Sequence, residues 1–172
     1  MNKSLKILLV SAEAVPFVKV GGLADVAGSL PQALRRLGHD ARLALPKYGR
    51  TNEAQFGLTR VLDSLPVPAG SDYEMASIFE SAVEGMPAYL VGNHQYFGRE
   101  EVYGYDDDGE RFVFFCRAAL EMLKELGWRP DVIHCNDWHA GIIPNWLKTM
   151  SVGLTGIKGK NLLLPISRLT CL

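Results

Sequence analysis

The sequence has 172 residues, 48% of them hydrophobic and 22% charged, and its formal net charge is -1. A chain of this size forms one domain, and it lacks the basic field that nucleic-acid binding requires. No apolar stretch approaches the ~20 residues that cross a bilayer, and the 3 cysteines form no CxxC pair, so we expect a reduced, cytoplasmic chain without membrane contact.

The beginning of the chain is predicted to form a strand, a helix and a second strand. Residues 6–12 are a short apolar run bounded by charge, typical of a strand in a parallel sheet covered on both faces. Apolar residues recur at helical spacing over 23–37, and Gly38 follows where a left-handed C-terminal cap belongs. Pro31 predicts a kink in this helix, or a restart with Ser29 as its N-cap. Residues 41–45 alternate as the second strand, which completes a βαβ unit.

The remainder continues the α/β pattern. Residues 48–93 contain apolar pieces that we interpret as short strands, and 94–110 lose their period and predict a surface loop. A helix is predicted over 112–126, a buried strand over 131–135 and a last helix over 142–148. The predicted fold class is α/β, with a Rossmann-like, mostly parallel sheet and helices on both faces.

The first candidate site is the junction between the first strand and the first helix. In an open parallel sheet, ligands bind beyond the carboxyl ends of the strands, where helix N-termini present unpaired N–H groups. Gly21 and Gly22 allow a close backbone approach to an anion, and Lys19 adds a positive charge. This combination suits a diphosphate. A tight turn beside a solvated lysine is the alternative, because the sequence has neither a GxGxxG fingerprint nor a P-loop.

The second candidate site follows the strand at 131–135. His139 with Asp137 is suited to bonding a sugar hydroxyl or to proton transfer, and Trp138 offers an apolar wall. A zinc site built from His134, Cys135 and His139 lacks a fourth ligand at a recognised spacing, so no metal is predicted. For His134 we expect a core histidine bonded to a backbone carbonyl.

The loop at 94–110 holds acidic and aromatic residues. Its acidic run at 106–108 is typical of a solvated helix start, and it does not meet the calcium-loop pattern. Aromatic rings in such a loop either stack on sugar rings or, more commonly, pack the loop down. The rings concerned are Tyr96, Phe97, Tyr103 and Tyr105.

Residues 11–26, SAEAVPFVKVGGLADV, closely resemble the N-terminal signature of bacterial glycogen synthases and plant starch synthases. Other segments resemble that family in the same order, and the resemblance covers about residues 5 to 150. These segments are 28–34, 45–49, 96–99, 111–112, 130–134 and 137–141. The resemblance implies the N-terminal Rossmann-like half of a GT-B glycosyltransferase.

The activity that the resemblance implies is transfer of glucose, with retention, from ADP-glucose to the non-reducing end of an α-1,4-glucan in glycogen biosynthesis, without a cofactor. By position, Lys19 and the Gly21–Gly22 pair match the family's contacts to the donor diphosphate. Asp107 matches the donor-site aspartate, with Asp108 where many members have Asn. His139 matches the histidine that contacts the transferred glucose.

The resemblance also implies a second Rossmann-like domain that binds the nucleotide. We predict a Rossmann domain over 1–150 and a divergent, truncated tail over 151–172, and we expect little transfer by this chain alone. A non-catalytic glucan-binding module and a product without a role are the alternatives. The choice between ADP-glucose and UDP-glucose stays open, because the base contacts lie mostly in the other domain.

Overall fold

The structure, a computed structural model, describes residues 3–149, so the predicted tail at 151–172 lies outside the described residues. The strands are β1 (Lys6–Val10), β2 (Asp40–Pro46), β3 (Thr59–Ala69), β4 (Asp72–Ser81), β5 (Ala88–Gly92) and β6 (Val132–Cys135). The α-helices are α1 (Gly22–Arg36), α2 (His94–Phe97), α3 (Asp108–Glu125) and α4 (Ile143–Thr149), and 3₁₀ turns cover Val83–Gly85 and Trp138–Ala140.

All six strands form one sheet in the order β3-β4-β5-β2-β1-β6. The pairs within β5-β2-β1-β6 are parallel, and the β3/β4 and β4/β5 pairs are antiparallel. The crossovers β1-α1-β2 and β5-α3-β6 run in opposite directions along the sheet. Because such connections are right-handed, α1 and α3 lie on opposite faces. The predicted Rossmann-like α/β class, with helices on both faces, is confirmed.

The least periodic part of the sequence forms the antiparallel part of the sheet. Instead of short strands, β3 and β4 have 11 and 10 residues and pair as one long hairpin. Gly70 makes the turn with φ 65°, a conformation that favours glycine. Helix α1 runs unbroken through Pro31, so the predicted restart is wrong, and the Ser29 hydroxyl donates to the Asp25 carbonyl within the helix instead of capping a new one.

The central strands of the sheet form the core, and the edge strand β6 is less buried. Leu8, Leu9, Leu43 and Leu45 of β1 and β2 have no exposed surface, as expected for strands covered on both faces. The prediction of a buried strand with a core histidine at His134 is wrong. His134 is exposed, because β6 pairs on one side only within residues 3–149.

The direction of the crossovers reverses between β1 and β6, and such a switch point leaves a crevice at the carboxyl ends of the two strands. Val10 of β1 lies opposite Cys135 of β6. The residue that follows β6, Asn136, donates both its backbone N–H and its side-chain amide to the Val10 carbonyl, at 2.9 and 3.2 Å. The two loops that follow β1 and β6 therefore start side by side. No helix in the described part of the chain is long and apolar enough to cross a membrane.

Candidate active site at the switch point

The loop between β1 and α1 is held in place by a buried carboxylate. Glu13 is only 3% exposed, and its Oε2 accepts hydrogen bonds from the backbone N–H groups of Val20 and Gly21, at 2.5 and 3.0 Å. The Val15 N–H donates to the Ala24 carbonyl of α1 at 3.0 Å. The loop thus has a fixed path on which Lys19, Gly21 and Gly22 are presented.

The Gly21–Gly22 pair is not required by the fold of the described chain. Gly21 has φ -135°, an extended conformation open to any residue, and a Cβ there would lie 3.6 Å from Glu13 Oε1, an ordinary contact. A Cβ on Gly22 would meet nothing within 4 Å. The two glycines therefore leave open space at the N-terminus of α1, where unpaired N–H groups favour an anion.

Lys19 supplies a cation beside this open space. Its Nζ pairs with both carboxylate oxygens of Asp25, in the first turn of α1, at 2.7 and 2.8 Å. Both side chains are about half exposed, at 54% and 56%. Because exposed ion pairs contribute little, the ammonium can turn to an incoming anion at small cost.

The ring of His139 lies on the other side of the crevice, in the turn after β6, and aromatic packing fixes its orientation. The rings of Trp138 and Tyr103 lie 4.0 and 4.8 Å from it, each at 30°, and Phe112 approaches edge-on at 4.6 Å. The thiol of Cys116 donates to the His139 backbone carbonyl at 3.1 Å. The ring is thus pre-positioned by contacts from α3 and from the loop before it.

Burial favours the neutral form of the His139 imidazole. It is 6% exposed, and burial lowers its pKa, against the opposing charges of Asp137, Glu13 and Asp108. Its Nδ1 is buried without a hydrogen-bond partner in residues 3–149, and the nearest carboxylate oxygen of Asp137 is 3.9 Å away. A neutral imidazole can donate or accept one hydrogen bond to a hydroxyl group.

The two candidate aspartates have different partners. Asp107 receives two hydrogen bonds of 2.6 Å from the guanidinium of Arg99, which lower the pKa of its carboxyl group. Asp108 pairs with Arg111 and accepts the Gly104 N–H at 2.8 Å. The charge of Asp108 raises the pKa of His139, against the effect of burial. The role of Asp107 as a donor contact stays a prediction.

The aromatic loop packs inward. Tyr96 and Phe97 are 4% and 0% exposed, Tyr103 stacks on His139, and the Tyr105 ring lies 4.9 Å from the guanidinium carbons of Arg99 and Arg111. These rings order the loop, and Tyr96 and Phe97 are not available to stack on a sugar.

The zinc hypothesis has no support in the described geometry. Within residues 3–149, no group of three or more His, Cys, Asp and Glu side chains is placed to hold a metal ion. His134 is exposed on β6, whereas His139 is buried in the following turn.

Sequence reasoning missed two features of this edge. One is Glu13, whose partners lie seven and eight residues away along an irregular loop, so that no period marks it. The other is a groove of about 510 Å³ beyond the carboxyl ends of β2 and β5, lined in part by Lys47, Gly49, Asn93 and His94. It depends on how the β3–β4 hairpin folds beside those strands.

Fold and site together define a Rossmann-type α/β domain whose candidate site lies at the switch point between β1 and β6. Residues 6–166 match the family of the starch synthase catalytic domain. The chain belongs to this family, as its sequence motifs predict.

The similar proteins agree with that assignment. The chain is 50% identical over 151 residues to a glycogen synthase of Moorella thermoacetica and 46% identical over 162 residues to one of Desulforudis audaxviator, in each case over 86% of this chain. It spans about 30% of the length of these curated relatives. The catalytic domain of starch synthase IV from Arabidopsis thaliana, solved with bound ADP and acarbose, superposes with a TM-score of 0.81 over 88% of this chain and 32% of that one, at 33% identity. The expected N-terminal half of a GT-B fold is confirmed.

Proposed function

We propose that this chain forms the donor-phosphate side of a retaining glucosyltransferase, which transfers glucose from ADP-glucose to the non-reducing end of an α-1,4-glucan. The observation that carries the proposal is the Gly21–Gly22 pair. Neither its backbone conformation nor its surroundings require glycine, so the space that it leaves is best explained by a ligand. The similar starch synthase IV structure binds ADP and acarbose, which is the chemistry expected of that ligand.

The chemistry follows from the charges at the crevice. When the bond between glucose and the diphosphate breaks, negative charge develops on the departing ADP. Lys19 and the N–H groups at the start of α1 lie where they would stabilise that charge. The ion pair of Lys19 with Asp25 keeps the ammonium at the mouth of the helix until the diphosphate arrives.

His139 would face the sugar in this arrangement. Its neutral ring suits a hydrogen bond to a glucose hydroxyl, and its fixed orientation would hold the transferred glucose without a loss of side-chain freedom at binding. Asp107 would complete the donor contacts through the carboxylate lone pairs that its two bonds from Arg99 leave unused.

The acceptor glucan would lie along the same sheet edge. The groove beyond β2 and β5 has a size typical of ligand sites, and hydrogen-bonding side chains such as Asn93 and His94 contribute to its lining. A glucan-binding module without transfer is less well supported, because the rings of Tyr96 and Phe97, which would have to stack on the sugar rings, are buried.

Transfer is expected to need more polypeptide than this sequence contains, because the chain spans about 30% of its curated relatives. We propose that a second domain supplies the remaining contacts to the nucleotide. A cytoplasmic location fits the free thiols of Cys116 and Cys135.

Calorimetric titration of the chain with ADP tests the donor side. We expect binding that weakens by about tenfold or more in Lys19→Ala, since a hydrogen bond to a charged group is lost. Lys124→Ala is the matched control, because Lys124 is another lysine paired to a carboxylate, Glu121, at 2.6 Å. Equal affinity of the two variants for ADP would contradict the proposal, and a parallel titration with UDP measures the base preference.

A chimera tests transfer itself. Residues 6–149 would replace the matched segment of the Moorella thermoacetica glycogen synthase, and incorporation of glucose from ADP-glucose into α-1,4-glucan would be measured. We expect activity that His139→Ala reduces by about a hundredfold or more. A folded chimera that binds glucan yet transfers nothing would support the module instead.

A further inference from the structure

The Glu13 carboxylate determines which backbone groups of the first junction can still bind a ligand. One carboxylate oxygen, Oε2, accepts hydrogen bonds from the backbone N–H groups of both Val20 and Gly21. A carboxylate that accepts two backbone N–H bonds is a strong acceptor. These two donors are therefore already taken, although Gly21 was expected to contact the diphosphate.

The next donors along the chain remain open. The N–H groups of Gly22 and Leu23, in the first turn of α1, have no acceptor within residues 3–149. They stand at the N-terminus of a helix of 15 residues, and the position that a Cβ of Gly22 would occupy is empty to 4 Å. The open space and the unused donors thus coincide one residue beyond the pair that Glu13 binds.

Glu13 also borders the His139 side of the crevice. Burial raises the pKa of the Tyr103 hydroxyl, and the charge of Glu13 raises it further, so this hydroxyl keeps its proton. The Tyr103 ring in turn stacks on His139 at 4.8 Å. One buried side chain therefore holds the glycine loop through two hydrogen bonds and acts electrostatically on the tyrosine that supports the histidine.

We infer that Glu13 is a positioning residue, which holds Val20 and Gly21 so that the N–H groups of Gly22 and Leu23 receive the anionic ligand. This inference rests on the proposed function, because the anion is taken to be the diphosphate of a nucleotide. Glu13 itself does not touch the ligand. Its negative charge would repel a diphosphate, and its benefit comes only through the loop.

Two variants separate positioning from charge. In Glu13→Gln, the amide oxygen can occupy the Oε2 position and accept both bonds as a weaker, neutral acceptor, whereas Glu13→Ala removes the acceptor. Asp131→Asn is the matched control. The Asp131 carboxylate also accepts a backbone N–H, that of Lys6 at 2.8 Å, but it lies where β1 and β6 begin, away from the candidate site. Thermal unfolding of each variant would confirm that it is folded.

The measurements are amide hydrogen exchange by NMR and ADP affinity, both on the full chain. We expect Glu13→Ala to speed exchange at Val20 and Gly21 by about tenfold and to weaken ADP binding by about tenfold or more, with Glu13→Gln between it and the unchanged chain. Added ADP should shift the amide signals of Gly22 and Leu23 more than those of Val20 and Gly21.

Two results would overturn the inference alone. One is ADP affinity that is equal in Glu13→Ala and the unchanged chain. The other is tighter ADP binding by Glu13→Gln, which would mean that the carboxylate acts mainly by repulsion. Absence of ADP binding by the unchanged chain would instead overturn the proposed function, and this inference with it.

Discussion

The two sides of the crevice are built in opposite ways. On the β6 side, His139 is buried and is enclosed by the rings of Trp138, Tyr103 and Phe112. On the β1 side, Lys19 is half exposed, and within residues 3–149 its ammonium is held by an ion pair with Asp25 alone. The β6 side is therefore fully packed without a ligand, whereas the β1 side has an exposed cation and open space that a ligand can use.

This difference indicates how each side would recognise its part of a nucleotide sugar. A fixed, neutral ring suits an uncharged sugar, for which orientation matters most. A solvated cation beside free N–H groups suits a diphosphate, whose charge attracts it over a longer range. Substitutions on the β6 side should therefore change stability, and substitutions on the β1 side should change binding.

The largest effect is expected at Phe112, which is 1% exposed and contacts both Trp138 and His139. Phe112→Ala should lower the free energy of unfolding by about 3–5 kcal/mol, since a buried ring is replaced by a cavity. Its neighbour Val113 is 45% exposed, and Val113→Ala should change that free energy by about 0.5 kcal/mol at most. Urea unfolding of both variants makes the comparison, and equal effects would contradict the enclosed packing of His139.

The next largest effect on stability is expected at Gly28 of α1, and Gly22 of the same helix is the comparison. A Cβ on Gly28 would lie 2.4 Å from Val15 Cγ2 and 2.5 Å from the Val15 carbonyl oxygen, so Gly28→Ala should destabilise the chain by about 1–3 kcal/mol. Gly22→Ala should leave stability within about 1 kcal/mol, because a Cβ there meets nothing, yet it should weaken ADP binding. Thermal unfolding and ADP titration of both variants test this. Undiminished ADP affinity in Gly22→Ala would show that the space serves no ligand.

Local pattern predicted the first part of the fold, and tertiary contacts decided the remainder. The helical spacing of apolar residues before Gly38 was sufficient to predict helix α1, and Gly38 has the expected left-handed φ of 89°. The exposure of His134 could not be predicted, because a strand at the side of a sheet and a central strand have similar sequences. The long β3–β4 hairpin was missed because the two prolines before Gly70 are unfavourable in a strand, and the residues on either side of this turn show no clear alternation.

The site was predictable in position and not in detail. Parallel strands bring their carboxyl ends to one side of the sheet, so the sequence predicted that the segments with Lys19 and His139 would both lie there. That β1 and β6 are neighbours, which brings the two segments together, is seen only in the structure. The partners of Glu13 and the Arg99 bonds to Asp107 arise from side chains that meet only after folding. Spacing along the chain carries no signal for such contacts.

A smaller effect is expected from the protonation of His139. Burial lowers the pKa of this histidine in the folded chain below its ordinary value of 6.5, so the unfolded chain binds more protons as the pH falls through that range. Stability should therefore decrease as the pH is lowered from about 7.5 to about 5.5, and part of the decrease should be absent in His139→Gln. Other titrating groups are common to both proteins. Parallel pH dependences of the two unfolding midpoints would contradict the lowered pKa.

The smallest effect on stability is expected from Lys19→Ala. Its ion pair with Asp25 is short, at 2.7 Å, but both side chains are about half exposed, and such pairs contribute about 0–1 kcal/mol. The free energy of unfolding should therefore change by about 0.5 kcal/mol at most, as in Lys124→Ala. A loss above about 1 kcal/mol would mean that the ion pair holds the loop, and the contrast between the two sides of the crevice would disappear. If Lys19→Ala leaves the free energy of unfolding unchanged and weakens ADP binding, Lys19 serves ligand binding and does not stabilise the fold.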